Sequence, residues 1–498
     1  MRYITLFFTC LASLVSAHAK PDISIPALEE SSTYTLVAAG VANEVYIVTD
    51  SSKTCVLKIF NRKTLDELEN SEALLQLVRN AGINVPQSLI PPSKVESKVI
   101  SVLAFVKGEH INESHLPDTA KLMAKLHLIE SPQKAIIGSK DYYKLFDSCK
   151  DWKYCEELKK VFESLDLSYM NLLPRGLIHG DFSYTNLIVD QNGILTLLDF
   201  DHLRQDILLT DLVRCHLFYG FDKEGSLKEG TIQAFVSAYN SVRPLKAAEL
   251  DAFYTHLKLC LLDVALEMYD HMYVKKDLPI GRVDGTPVNA CLNPDRIAKE
   301  ILSIKDRRSL VLENPKFPIF FFGLSGVGKT TLIHLLEESS DLFYIPKFTV
   351  TRPLREDDDS RYFEYLSVDE FIKGKDQGKF FVWMDQKGVY YGYRFEHLTD
   401  PNRYPLLNAS AYGIEMVKLQ KGIKVLIEGD SQQGLLLRNN PEVAKTREKV
   451  NQLAQEKFFG QEAFRKEMNL IFSNQFGNPA DSSRELKREI LQGIDYAN

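Results

Sequence analysis

The run Ile319-Phe-Phe-Phe322, followed at once by Gly323-Leu-Ser325-Gly326-Val-Gly328-Lys329-Thr330-Thr331, constrains this chain more than any other stretch. Four consecutive large apolar residues suit a strand buried on both faces, as strands of a parallel sheet are. The glycines that follow let the backbone take left-handed turns that other residues avoid, and Thr330 to Glu338 reads as a helix by its apolar spacing. Strand, glycine turn and helix in that order imply an α/β domain with a parallel sheet, and the apolar stretch Lys424 to Ile427 is expected to be a further strand of it. The spacing satisfies the P-loop pattern for binding a nucleoside triphosphate. In such a turn successive N–H groups face phosphate oxygens, the helix N-terminus adds positive potential, the lysine reaches the outer phosphates and the first threonine binds magnesium. Gly323, Ser325, Gly326, Gly328, Lys329, Thr330 and Thr331 are therefore the expected nucleotide-binding residues, with ATP and Mg2+ as cofactors.

A chain of 498 residues exceeds what one hydrophobic core usually serves, so a second domain is expected ahead of this one. Tyr34 to Val37, Val45 to Val48 and Cys55 to Phe60 read as a small antiparallel sheet, and Leu65 to Asn80 as a helix ended by Gly82 and Pro86. Val99 to Val106 reads as another strand. Helices dominate from Pro117, for example Thr119 to Ile129 and Ala247 to Tyr273, interrupted by strands and loops between Gly176 and Phe200. The expected division is an N-terminal segment over 1–19, a first domain over 24–278, a linker over 279–314 with a charged helical piece from Asp295 to Leu312, and a P-loop domain over 315–498.

The chemistry of the first domain centres on Gly176-Leu-Ile-His179-Gly180-Asp181-Phe-Ser-Tyr-Thr-Asn186, followed by Leu195-Thr-Leu-Leu-Asp199-Phe200-Asp201. Phosphoryl transfer needs a carboxylate to orient the attacking hydroxyl, and an amide oxygen with a second carboxylate to hold magnesium against the phosphates. Asp181 fits the catalytic role, and Asn186 and Asp199 fit the metal roles. His179 reads as a structural residue of the loop. The stretch resembles the aminoglycoside phosphotransferase family with its choline kinase and homoserine kinase relatives, whose loop reads His-Gly-Asp with Asn five positions on and then Asp-Phe-Asp. The resemblance implies an α+β, two-lobed, protein-kinase-like fold, in which Leu57-Lys58-Ile59 supplies the lysine on the nucleotide phosphates and Glu72, with Glu69 as the alternative, pairs with it. It also implies that Gly40-Val-Ala-Asn43 covers the phosphates.

The second domain resembles guanylate kinase through Thr351-Arg352-Pro353-Leu-Arg355, Tyr362, Tyr391-Gly392 and Glu428-Gly-Asp430. That resemblance implies a clasp for an acceptor phosphate made by Arg352, Arg355, Tyr362 and Tyr391. Val382 stands where a guanine-reading glutamate is expected. No strand is evident after Asp430, and Arg438 to Lys449 is the candidate for an arginine-bearing lid.

The expected function is thus a tandem ATP-dependent phosphotransferase acting on a small-molecule hydroxyl and a phosphomonoester. The alternative makes the C-terminal half a nucleotide-gated binding module for a protein partner. A net charge of −7, from 60 basic and 67 acidic side chains, argues against a nucleic-acid-binding protein. No stretch of about 18 apolar residues spans a membrane. Arg2, the apolar run Ile4 to Val15 and Ala17-His-Ala19 resemble a secretory signal, implying export; the alternative is a cytoplasmic protein.

Overall fold

The structure, a computed structural model, describes residues 32–497 apart from short stretches, the longest being 132–140, 277–281, 354–358, 410–416 and 433–447, and single positions before residue 32. The signal-like segment 1–19, Gly40, Arg355 and most of the lid candidate lie outside the described residues. The chain divides into two compact units, Met1–Leu245 with Phe253–Asp306, and Lys246–Ala252 with Arg307–Asn498.

In the first unit β1 (Thr33–Ala39), β2 (Asn43–Thr49), β3 (Thr54–Phe60), β4 (Ser88–Val95) and β5 (Lys98–Ala104) form one antiparallel sheet in the order β1-β2-β3-β5-β4. Strand alternation divides β3 between two environments. Cys55, Leu57 and Ile59 enter a core with Tyr34, Tyr46, Val48, Ile100 and Val102, while Val56, Lys58 and Phe60 face a cleft. Helix α1 spans Leu65–Asn80 as expected, started by a capping box in which Thr64 and Glu67 satisfy each other's backbone N–H groups. The sequence reading missed β4, whose Pro91 and Pro92 speak against a strand. It is an edge strand, where a missing N–H costs no ladder bond, and its pairing with β5 is irregular from Ser88 to Ser93.

The rest of this unit is mainly helical. Helix α2 (Leu116–His127) packs on the helix Glu229–Asn240, and the helix Ala247–Tyr269 belongs to this unit from Phe253 onward. Short strands Arg175–Ile178, Leu187–Val189, Leu195–Leu197 and Arg204–Ile207 carry the loops that hold the expected catalytic residues. The segment expected as a linker contains the helix Pro294–Ser303, which belongs to the first unit. It is amphipathic rather than solvated, burying Ile297, Ala298 and Ile301, and Trp152 Nε1 donates to Asp295 at 2.8 Å.

His216 is fully buried among aromatic rings, 5.4 Å from Phe235 and 5.9 Å from Phe253 between centroids. Neither of its ring nitrogens has a hydrogen-bond partner, and burial lowers its pKa to about 3. The unfolded chain therefore binds a proton below about pH 6.5 that the folded one refuses down to about pH 3, so stability falls with pH across that window. The slope from this residue is about 1.4 kcal/mol per pH unit. Denaturation of wild type and His216→Leu at pH 7.5 and 5.5 should show the variant losing less stability on acidification; equal losses would remove His216 as the cause.

In the second unit the strand Ile319–Phe322 forms as expected and is completely buried. It lies at the centre of a five-stranded parallel sheet, between Tyr404–Asn408 and Ile423–Glu428, with Phe343–Tyr344 and Leu470–Ser473 outside them. The strand not found after Asp430 is thus Leu470–Ser473, only four residues long and preceded by charged sequence, which is why it carries no period of its own. A second sheet, in the order Phe363–Tyr365, Phe348–Val350, Val389–Arg394, Phe380–Gln386, packs its aromatic face near Phe320 and Leu407. Among the described residues no helix is long and apolar enough to cross a membrane.

Candidate active site

The cleft of the first unit encloses about 550 Å³, within the range of small-molecule and cofactor sites. Val45, Ile47, Val56 and Leu103 line its apolar part, and Asn186, Asp199 and Asp201 line its polar part. Lys58 links the two. Its ammonium sits 2.7 Å from Asp199 Oδ1 and 2.8 Å from Asp201 Oδ2, and all three side chains are largely buried. Burial alone would lower the lysine's pKa; the Asp199 and Asp201 carboxylates more than offset it and raise the value above the usual lysine range. Burial likewise opposes ionisation of Asp201, yet Lys58 and Lys63 hold its carboxyl below the usual range. Asn43 Nδ2 donates to Asp201 Oδ2 at 2.6 Å, and Lys63 donates to the Asp201 carbonyl.

The ion pair expected between Lys58 and Glu72 is not formed. Glu72 bonds Arg79 at 2.6 Å, within its own helix, although it does line the cleft. Two buried carboxylates already hold the ammonium in a region of low dielectric, where electrostatic attraction is strongest. Asp201 is the partner that the sequence reading left without a role.

Asp181, 6% exposed, sits on a loop built from backbone hydrogen bonds. Asn186 Nδ2 donates to the Asp181 carbonyl at 3.0 Å and to Oδ2 at 2.7 Å, which leaves the Asn186 carboxamide oxygen available to a cation. Burial, then the Asp199 charge, raises the Asp181 carboxyl well above the usual carboxylate range. Asp199 adopts φ 57°, a left-handed conformation that a non-glycine residue holds only when its surroundings over-determine it. Its neighbour Leu198 donates its N–H to the Asn186 carbonyl at 2.8 Å, which ties the two metal candidates together.

His179 is structural, as read. Its Nε2–H donates to the Leu198 carbonyl at 2.9 Å, Nδ1 faces the Asp181 N–H at 3.3 Å, and burial lowers its pKa so that it stays neutral. Gly180 has φ +81°, and a Cβ there would lie 2.5 Å from Arg204 Nη1. Beneath the loop Asp211, 1% exposed, accepts the N–H groups of His179 at 2.7 Å and Gly180 at 2.8 Å, and His127 Nε2 at 3.3 Å. Arg243 donates to the Tyr239 hydroxyl at 3.0 Å, which in turn donates to His127 Nδ1 at 2.7 Å. Sequence reasoning gives neither Asp211 nor His127 a role; 84 residues separate the pair, and no local spacing signals it.

In the second unit the glycine turn follows its strand, with φ +142° at Gly323, +96° at Gly326 and +87° at Gly328. The helix Lys329–Ser339 begins directly after it. Lys329 Nζ donates to the carbonyls of Gly323 and Leu324, each at 2.7 Å, and Thr330 and Thr331 are exposed on the first helical turn. Of the expected phosphate clasp, the Tyr362 hydroxyl is committed to Glu337 Oε2 at 2.8 Å with its ring against His334, and Arg352 Nη1 donates to the Pro353 carbonyl at 2.9 Å. Tyr391 instead joins Phe348, Val382, Trp383 and Met384 around a small aromatic pocket.

Residues 33–245 match the family model described as phosphotransferase enzyme family. A homoserine kinase of Parvibaculum lavamentivorans is 24% identical over 239 residues, covering 44% of this chain and 74% of its own length. One from Methylobacillus glycogenes is 23% identical over 231 residues, covering 43% and 72%. Among solved structures, a microcompartment-associated aminopropanol kinase is similar at a TM-score of 0.43 and 16% identity, over 55% of this chain and 92% of that one. The guanylate kinase of Anaplasma phagocytophilum gives 0.28 and 13%, over 37% and 88%. The match to the phosphotransferase enzyme family lies in the N-terminal part of the chain, and the protein is an ATP-dependent kinase.

Proposed function

We propose that the chain is a tandem phosphotransferase in which each unit binds ATP, the first phosphorylating the hydroxyl of a small polar molecule and the second a phosphomonoester. The observation that carries the first assignment is Asp181 hydrogen-bonded to Asn186 beside Asp199, at the polar end of a cleft whose other end is apolar. In this reading the nucleotide base rests against Val45, Val56 and Leu103, and Lys58 leaves Asp199 to contact the phosphates. Asp181 orients the acceptor hydroxyl and takes its proton at a carboxylate oxygen as the γ-phosphorus bonds to the acceptor oxygen and its bond to the β–γ bridging oxygen breaks, ADP leaving with that oxygen. The Asn186 carboxamide oxygen and the Asp199 carboxylate form an all-oxygen donor set that suits magnesium. When bound there, the ion would neutralise charge on the phosphates. The acceptor class follows the relatives: amino alcohols and hydroxy amino acids are the first candidates, homoserine among them.

For the second unit, the glycine turn with Lys329 at the end of a central parallel strand supports nucleotide binding at Gly323, Ser325, Gly326, Gly328, Lys329, Thr330 and Thr331. Arg352, Arg355, Tyr362 and Tyr391 are the acceptor-side candidates, with Tyr362 having to release Glu337 before it could contact a ligand. That commitment, together with Val382, favours a second reading in which this unit binds nucleotide and a phosphorylated partner without turnover.

Labelled ATP with a panel of homoserine, choline, aminopropanol, aminoglycosides and phosphomonoesters tests both units in the full chain. Asp181→Asn should abolish transfer to the hydroxyl acceptors. Lys329→Ala should leave it intact and remove any transfer to phosphomonoesters. If a hydroxyl acceptor found for the wild type is still phosphorylated at the same rate by Asp181→Asn, the assignment is wrong.

A further inference from the structure

Two asparagines far away in sequence grip the glycine turn of the second unit. Asn451, 6% exposed, forms a reciprocal pair with the main chain of Ser325: its Oδ1 accepts the Ser325 N–H at 2.9 Å and its Nδ2 donates to the Ser325 carbonyl at 2.8 Å. Asn474, just beyond the strand Leu470–Ser473, donates through Nδ2 to the Val327 carbonyl at 2.8 Å. Its amide leaves no room for a side chain at Gly328, where a Cβ would lie 2.5 Å away.

The geometry of the peptide group makes this grip directional. In a trans peptide the carbonyl of one residue and the N–H of the next point in opposite directions. With the Ser325 carbonyl held by Asn451 and the Val327 carbonyl held by Asn474, the N–H groups of Gly326 and Gly328 are turned to the other side of the backbone. Lys329 draws the Gly323 and Leu324 carbonyls to its ammonium, so four of the turn's carbonyls have assigned donors. A turn this rich in glycine would otherwise sample many conformations, and ordering it on a ligand would weaken binding.

We propose that Asn451, assisted by Asn474, is a positioning residue that holds the turn Gly323–Gly328 in a phosphate-accepting shape before ligand arrives. The inference rests on the reading that this turn binds the phosphates of a nucleotide. It identifies the recognised group as the phosphate chain, independent of base or sugar.

Isothermal titration of the full chain with MgATP, and with inorganic tripolyphosphate as a phosphate-only probe, tests this on wild type, Lys329→Ala, Asn451→Leu and Asn451→Ser. Leucine keeps the branched outline of asparagine with somewhat more bulk and removes both hydrogen bonds. The wild type should show a site that Lys329→Ala abolishes. Asn451→Leu should weaken that site on the order of tenfold for both probes, the loss of two hydrogen bonds, with the binding of ATP at the first unit unchanged. A purely structural asparagine would lower the melting temperature and leave the tripolyphosphate affinity of the folded protein as it was, which overturns the proposal. If Asn451→Leu does not fold, Asn451→Ser is read by the same criterion. Absence of any Lys329-dependent site in the wild type overturns the nucleotide reading itself and the inference with it. A Lys329-dependent site retained at full affinity in the Asn451 variants overturns the inference alone.

Discussion

Asp181→Asn is expected to slow phosphoryl transfer by the first unit about 10²- to 10⁴-fold, the span typical of a lost general base, while making the folded protein more stable. The two effects share one origin. Asp181 is 6% exposed and near Asp199, and both burial and that charge raise its pKa well above the usual carboxylate range. Since its folded value exceeds the unfolded one, the ionised group opposes folding at every pH above the ordinary carboxylate value, and the penalty grows until the folded value is reached. Asparagine removes the charge and still presents an oxygen to Asn186 Nδ2. Single-turnover transfer from labelled ATP and denaturation at pH 7.5 would measure both. A variant that loses activity and stability together would mean that the carboxylate holds the loop rather than the acceptor proton.

The second large effect concerns Asp211→Ala. Removing this carboxylate orphans three buried donors at once, the N–H groups of His179 and Gly180 and the Nε2–H of His127. Each buried donor left unsatisfied costs about 1–3 kcal/mol, so losing the acceptor of all three is expected to cost about 3 kcal/mol or more. Burial by itself would raise the Asp211 carboxyl; the hydrogen bond from His127 is the largest influence that keeps it below the usual range instead. The expected outcome is a loss of stability of that order, with transfer falling because His179, Gly180 and Asp181 no longer hold their places. Asp211→Asn, which keeps one acceptor oxygen, should be damaged less. Had Asp211 bound the acceptor directly, its replacement would raise the acceptor KM with little change in the melting curve, so chemical denaturation beside acceptor titration separates the two roles.

Much of the fold was legible because its signals are local. Helix α1 announces its start through Thr64 and Glu67, β3 announces its two faces by alternation, and the buried strand Ile319–Phe322 announces itself by four apolar residues in a row. Strands without such signals were missed. Ser88–Val95 carries two prolines that only its place at a sheet edge permits, and Leu470–Ser473 is recognisable only by its parallel pairing with Ile423–Glu428. The helix Pro294–Ser303 reads as part of a linker because its charges are visible in the sequence and its burial is not.

The candidate site divides the same way. Asp181, Asn186 and Asp199 are close in sequence, and the spacing that chemistry demands of them can be read directly. Lys58 could be placed on its strand by resemblance, but its partner could not: Glu72 is the nearer carboxylate in sequence, while Asp199 and Asp201 are more than 140 residues away and only 2.7 and 2.8 Å distant in space. Sequence by itself singled out the side chains proposed to carry the phosphoryl-transfer chemistry and the turns that must be glycine, since residue chemistry, spacing and short-range sterics govern both. Tertiary structure alone decided which carboxylates hold the lysine, which aspartate anchors the catalytic loop and which asparagines grip the glycine turn. Those pairings depend on strands and helices meeting across long separations, where a hydrogen bond forms only at a distance that no spacing along the chain encodes.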